Sequence, residues 1–425
     1  MDSHRRKFIQ SSLLSTSALA LGSAAPWVMA GRDSTFKIGF VSPQTGPLSA
    51  FTAPDAFTLE QVRQHVKGGI KSLGKPFDVE IIVKDSQSNP KVAALAAEDL
   101  IASHGVDLVL ACSTPLTTIP VSNVCEARGV PCITNDTPWQ SWFYGRNGDP
   151  RKGFDYTYHF CWGVEDMIST YTNLWNLLPG DGRRVGALWP NDQDGMAWAH
   201  PEAGFPPALK QDGFHIVDPG RFETPASDFI PLIQNFQDQA VDIVTGVITP
   251  PEFATFWKQS KNRGFEPKIV TVAKATEFHD AIRGIGDRAE GLSIEMMWSP
   301  SFPFNSSITG QTGQELAQAY TEYSGQPWDV TLGMKHSLFE VALSVLKRAG
   351  SRDPKRILRS LKATSVGTVM GNINFNRSHI PNLAKTPLVG GQWQKTSKGL
   401  ELLVVENSGA INVPIETELQ PIKYG

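Results

Sequence analysis

Val106-Asp-Leu-Val-Leu-Ala-Cys-Ser-Thr-Pro115 and Val130-Pro-Cys-Ile-Thr-Asn-Asp-Thr-Pro138 decide the fold. Each is a short apolar run that stops at a hydroxyl-bearing corner and then a proline. A run of this length without alternation reads as a strand buried on both faces. Ser or Thr followed by Pro is the grammar of a helix start, because the hydroxyl can cap and proline fits the first helical position. The segments therefore read as two successive strand–helix units, with strands at 106–112 and 130–134.

The same rhythm extends both ways. Phe36–Ser42 is a buried strand, residues 55–69 are helical, Phe77–Lys84 is a second strand, and Asn89 caps a helix at Pro90–Ser103. After an interruption at Phe154–Trp162, strands recur at Arg184–Trp189, Phe214–Asp218, Val241–Thr245 and Lys268–Val272, each followed by a helical segment. A second interruption falls at Leu292–Ser301. Long helices are expected at 310–323, 330–349 and 353–363, and short strands and turns from Thr368 onward. Strands separated by helices make βαβ units and hence parallel sheets. Two such runs imply two α/β lobes, of residues 35–161 plus 301–371 and 163–298 plus 375–425. Open parallel sheets bind ligands beyond the carboxyl ends of their strands, so two facing lobes make a cleft.

Composition narrows the function. The 425 residues carry 39 Lys+Arg against 42 Asp+Glu, a formal charge of −3, which lacks the electrostatic footprint of a nucleic-acid binder. Hydrophobic residues at 40% support a large buried core. The four cysteines are too few for a disulfide scaffold, and Cys112 and Cys132 on neighbouring strands read as buried free thiols. Residues 1–30 combine Arg5-Arg6-Lys7, an apolar run at Leu13–Leu21 and small residues ending at Ala30. That is an export signal of the twin-arginine kind, cleaved near Ala30, which implies a periplasmic protein. No later stretch reads as a membrane span.

The expected cleft collects its chemistry at the two helix starts. Ser113, Thr114 and Thr137, with Asp136 beside them, lie where unpaired N–H groups could hold a carboxylate. Trp139 and Trp142, at helical spacing, and Trp162 offer an aromatic face that either stacks on a ligand or fills a core. Phe51 lies in the loop after the first strand. His159 and His200 read as structural. No nucleophile elbow, phosphate loop or zinc-protease motif occurs, and no histidines pair at metal-ligand spacing, so neither enzyme activity nor a cofactor is expected.

An ordered set of landmarks resembles the type I periplasmic solute-binding proteins of the branched-chain amino-acid (leucine/isoleucine/valine) group, receptors of ABC importers. These are Lys37-Ile-Gly-Phe-Val-Ser-Pro-Gln-Thr-Gly-Pro-Leu48, Gly68-Gly-Ile70, Val83–Lys91, Glu126–Ile133, Ala289-Glu-Gly-Leu292 and Thr368-Val-Met-Gly371. The resemblance implies two Rossmann-like lobes joined by hinge crossovers, closing on a small solute, and a monomer that meets a membrane permease. It places ligand-carboxylate contacts within 113–115 and 136–138, an aromatic contact at Phe51 and an ammonium partner at Glu290. Two positions where the family carries tyrosine hold Thr249 and Asp194, and Ser88 replaces the first cysteine of its disulfide. The tryptophan-rich loop 139–144 departs most from the family and suggests a larger, flatter or more apolar ligand; the expected solute is an amino acid or an aromatic or apolar carboxylate. A ligand sensor and, more remotely, an α/β enzyme using Asp136, Asp194 and Glu290 are the competing readings.

Overall fold

The computed structural model describes residues 34–178 and 183–424. The export signal expected at residues 1–30 lies outside them. In the first half, strands β1 (Thr35–Ser42), β2 (Ile70–Ser72), β3 (Lys75–Asp85), β4 (Leu108–Cys112), β5 (Cys132–Asn135) and β6 (Thr157–Phe160) build one sheet. In the second half, β7 (Arg184–Leu188), β8 (His215–Val217), β9 (Ile243–Val247), β10 (Ile269–Ala273) and β11 (Ser293–Met296) build another. A small hairpin, β12 (Ser365–Thr368) with β13 (Gly371–Asn374), precedes β14 (Leu383–Ala384), β15 (Val389–Thr396) and β16 (Gly399–Glu406).

The first sheet runs β14-β6-β5-β4-β1-β3-β2, and the second β16-β15-β11-β10-β9-β7-β8. Both are parallel through their centres. In the first, Ile38 lies opposite Ile81 on one side and Leu108 on the other; only β2 is antiparallel. In the second, β15 and β16 add an antiparallel edge. Every residue of β4, β5, β9 and β10 is buried, which is why these strands read as unbroken apolar runs rather than alternating ones. Helices cover both faces. Asn89 caps Pro90–Ala102 by accepting from the Lys91 and Val92 amides, and Gly129, at φ 69°, ends Pro115–Arg128 in the left-handed conformation that glycine adopts at no steric cost. Cys112 and Cys132 stand on the neighbouring strands β4 and β5, and all four cysteines are free and buried.

The two interruptions read from the sequence contain the last parallel strand of each half, β6 and β11, followed by a crossover. The chain differs from expectation at its third crossing. The tail from residue 375 was expected in the second lobe, but it first returns to the first sheet. Leu383 and Ala384 pair with His159 and Phe160, and the Cys161 amide donates to the Ala384 carbonyl at 3.0 Å. A two-residue strand carries no periodicity from which a sequence reading could place it.

Helix Thr331–Ala349 fills the first half. It is buried nearly all round and includes Lys335, His336 and Glu340 among its interior residues. Lys335 pairs with Asp55 at 3.0 Å, reaches Ser42 Oγ at 3.3 Å and donates to the Cys112 carbonyl at 2.8 Å. It thus ties the carboxyl ends of β1 and β4 together. Among the described residues no helix is long and apolar enough to cross a membrane.

Candidate functional site

The carboxyl ends of the two parallel sheets face each other across a narrow cleft. The first half contributes Phe51, Thr114, Pro115, Asp136, Pro138 and Trp162, from the loops after β1, β4, β5 and β6. The second half contributes Asp194 and Trp198 from the helix after β7, Val247 at the end of β9, Ala273, Lys274 and Glu277 after β10, and Glu295 and Met297 around β11. Phe51 also packs edge-on against Phe278 at 5.0 Å, so a loop of the first half touches the second directly.

The polar groups are mostly acidic and deeply buried. Asp136 sits at φ 62°, a left-handed conformation that Asp tolerates better than most residues, and this projects its carboxylate beside Cys112 Sγ at 3.8 Å. Burial lifts its pKa to about 7, with Lys335 opposing the rise. Glu295 accepts a hydrogen bond from the Tyr171 hydroxyl at 2.5 Å, and burial pushes its pKa to about 8. Glu277 accepts from the Lys274 amide through Oε1 at 2.9 Å, while its Oε2 is buried without a partner. Burial, then Glu295 and Asp136, drive the Glu277 carboxyl well above the ordinary carboxylate range. Lys274 forms an ion pair with Asp194. Burial works against its charge, but Asp194 and Asp192 hold its pKa above the usual lysine value. The indole N–H groups of Trp162 and Trp198 and the Ser113 hydroxyl are likewise buried without partners.

The structure brings Phe51, Thr114, Asp136, Trp162 and Asp194 to this cleft and takes other expected residues elsewhere. Glu290 is half-buried outside it, 3.5 Å from Lys423. The glutamates that line the cleft are Glu277 and Glu295 instead. Trp142 is a core residue: it stacks on His159 with ring centroids 4.8 Å apart and donates to Ser122 Oγ at 2.9 Å. Trp139 donates to Glu165 at 3.0 Å and lines a separate groove with Glu165 and Lys385. Thr249 is occupied at the start of helix Pro250–Asn262, donating to Glu252 at 2.5 Å.

The two helix starts also differ. At the first, Thr114 is the cap residue but makes no side-chain capping bond, and Ser113 Oγ is free. At the second, the helix is only Trp139–Tyr144, and its first amide donates to the Trp162 carbonyl at 3.1 Å. Thr137 spends its hydroxyl on the Ser113 carbonyl at 2.9 Å and lies 3.0 Å from the Thr118 hydroxyl. The expected pair of caps clasping one anion is therefore reduced to one. His159 is structural: Nε2 donates to the Thr137 carbonyl at 2.8 Å, so Nδ1 accepts from Thr134 at 2.8 Å. Burial lowers its pKa to about 3, which keeps the ring neutral.

Sequence reasoning missed Lys274, Glu277, Glu295 and Trp198. Three of them left a signal. Lys274-Ala-Thr-Glu277 directly follows a strand end, and Glu295 is the one charge inside an otherwise buried strand. Among the described residues no group of His, Cys, Asp and Glu is arranged to hold a metal ion.

The periplasmic binding protein family model matches residues 35–398, which takes in the first sheet, the second sheet as far as β15 and every residue of the cleft. The chain belongs to that family. It is 20% identical over 365 residues to the leucine-, isoleucine-, valine-, threonine- and alanine-binding protein of Pseudomonas aeruginosa, covering 84% of this chain and 90% of that protein. A leucine-binding protein from Thermotoga maritima superposes with a TM-score of 0.71 at 19% identity, covering 88% of this chain and 99% of the other. An ABC-transporter solute-binding protein from Rhodopseudomonas palustris, in complex with 3,4-dihydroxybenzoic acid, superposes at 0.70 with 19% identity, covering 90% and 99%. At such identity the structures share the fold, and the cleft chemistry is read from this chain's own residues.

Proposed function

We propose that the protein is the periplasmic substrate-binding component of an ABC importer, a monomer that captures a small organic solute between its two halves and presents it to a membrane permease. The observation that carries this reading is the cleft itself: two sheet ends face each other, lined by buried hydrogen-bonding atoms of Glu277, Trp162 and Trp198 that no protein group satisfies. A buried polar atom without a partner is costly, so a site that keeps several is completed by something it binds. The Arg5-Arg6 segment would deliver the folded chain to the periplasm.

Thermal-shift screening of amino acids, amines and aromatic acids tests the reading, because a ligand that binds only the folded state raises the melting temperature by mass action. The expected result is at least one class of small solute with a saturable shift. Small-angle scattering should then show a smaller radius of gyration with that solute bound, as the halves close. An Arg5→Lys/Arg6→Lys variant should accumulate unexported.

A further inference from the structure

The charges around the cleft do not balance. Asp136, Asp194, Glu277 and Glu295 line it, and Lys274 is the one base among the lining residues. That lysine is already paired with Asp194. The next lysine, Lys335, is held by Asp55. Among the described residues, neither lysine forms its ion pair with Asp136, Glu277 or Glu295. Burying three carboxyl groups in this way is unfavourable unless they keep their protons or meet a cation. Their immediate partners are weak or neutral: a thiol for Asp136, one amide for Glu277, one phenol for Glu295.

Independent features complete the outline of a ligand. Oε2 of Glu277 needs a donor, and the indole N–H groups of Trp162 and Trp198 need an acceptor. All three residues are buried and line the cleft. Apart from Thr114, the remaining walls, including Phe51, Val247 and Met297, are apolar. An indole face attracts an ammonium group through its quadrupole and repels an anion.

On the reading of the cleft as a substrate site, we infer that its ligand is a small organic cation: a protonated amine on an apolar body, carrying one uncharged hydrogen-bond acceptor such as a hydroxyl or an amide carbonyl. The ammonium meets Glu277, with Glu295 and Asp136 nearby, and the acceptor meets an indole N–H. A zwitterionic amino acid brings a carboxylate into a group of carboxylates with only one helix start left to receive it. A simple aromatic acid brings the carboxylate without any ammonium to offset it.

Calorimetry at pH 7 with matched sets tests this, because the body stays constant while the charge changes. One set is leucinol, leucine and 4-methylpentanoate; the other is phenylalaninol, phenylalanine and 3-phenylpropionate. The amino alcohol of at least one set should bind ten-fold or more tighter than its amino acid, and the acid should not bind. Binding repeated in buffers of different ionisation enthalpy should show proton release, since the ammonium draws the cleft carboxyls into their charged form. Glu277→Gln should weaken amino-alcohol binding at least ten-fold without lowering the melting temperature of the free protein. An acid or amino acid that binds tighter than its amino alcohol, or proton uptake on binding, overturns the inference. If neither set binds, a wider screen of amines and acids decides. Hits confined to acids overturn the cation assignment and leave the transport reading standing. Absence of any small-molecule ligand overturns both.

Discussion

Two buried lysine–aspartate pairs stand at strand ends in this protein, and they do different jobs. Lys335–Asp55 lies inside the first half, with the lysine side chain 1% exposed and its other bonds spent on Ser42 and the Cys112 carbonyl. Lys274–Asp194 lies on the cleft wall, with the lysine 15% exposed and carboxyls that lack cations around it. The first pair is closed on itself and holds β1 to β4. The second belongs to a site that is electrostatically unfinished. Chemistry alone does not distinguish them; what the neighbouring atoms still lack does.

The sharpest way to break this comparison is to remove each lysine. Lys335→Met should leave Asp55 buried without its cation and cost about 3–5 kcal/mol, read by chemical denaturation. The double variant Lys335→Met/Asp55→Leu should recover much of that loss. Lys274→Met should cost less, about 1–3 kcal/mol, because the cleft wall is wetter and Asp194 can take up a proton. Its main effect should fall on ligand affinity. Equal stability losses in the two lysine variants would dissolve the distinction.

A pH series sharpens it further. Asp136 and Glu295 have pKa values raised to about 7 and about 8 by burial, so the folded state binds more protons than the unfolded one above about pH 4. Stability of the ligand-free protein should therefore fall as pH rises from about 4 towards 8, and the fall should level off beyond the folded-state values. The charged groups near Asp136 include Lys335, Asp329, Lys274, Glu277 and Glu295; those near Glu295 include Glu277, Asp136 and Lys274, with the Tyr171 hydroxyl donating to it. Asp136→Asn and Glu295→Gln should each flatten the slope in urea titrations across this range. The smallest effect is expected at the exposed pair Glu290–Lys423, whose lysine side chain is 69% exposed. Glu290→Gln should change stability by less than about 0.5 kcal/mol and leave affinity unaltered. A ten-fold loss of affinity there would restore Glu290 to the site.

The architecture was legible because its signals are local. The apolar runs at 108–112 and 132–135 and the Ser/Thr-Pro corners after them follow from burial on both faces and from capping, both of which a short window of sequence records. The corners also located part of the cleft, Thr114 and Asp136, and the first interruption supplied Trp162; all three follow strand ends and reach it. The second half was harder. Glu290 looked right by its place in a landmark turn, yet the glutamates that line the cleft are Glu277 and Glu295.

Tryptophan shows the same limit. Trp142 and Trp162 are equally aromatic and close in sequence, and either suits a stacking wall or a core. One turns onto His159 and disappears among side chains; the other lines the cleft with its N–H unspent. The sequence by itself determined the strand–helix alternation, the two-sheet plan and the strand ends where a ligand would lie, because hydrophobic period and caps act over a few residues. Only the tertiary structure decided which side chains share the cleft, since that depends on how segments as distant as Asp136 and Glu295 come together. It also decided which polar atoms remain without partners, because hydrogen bonding is settled by neighbours in space.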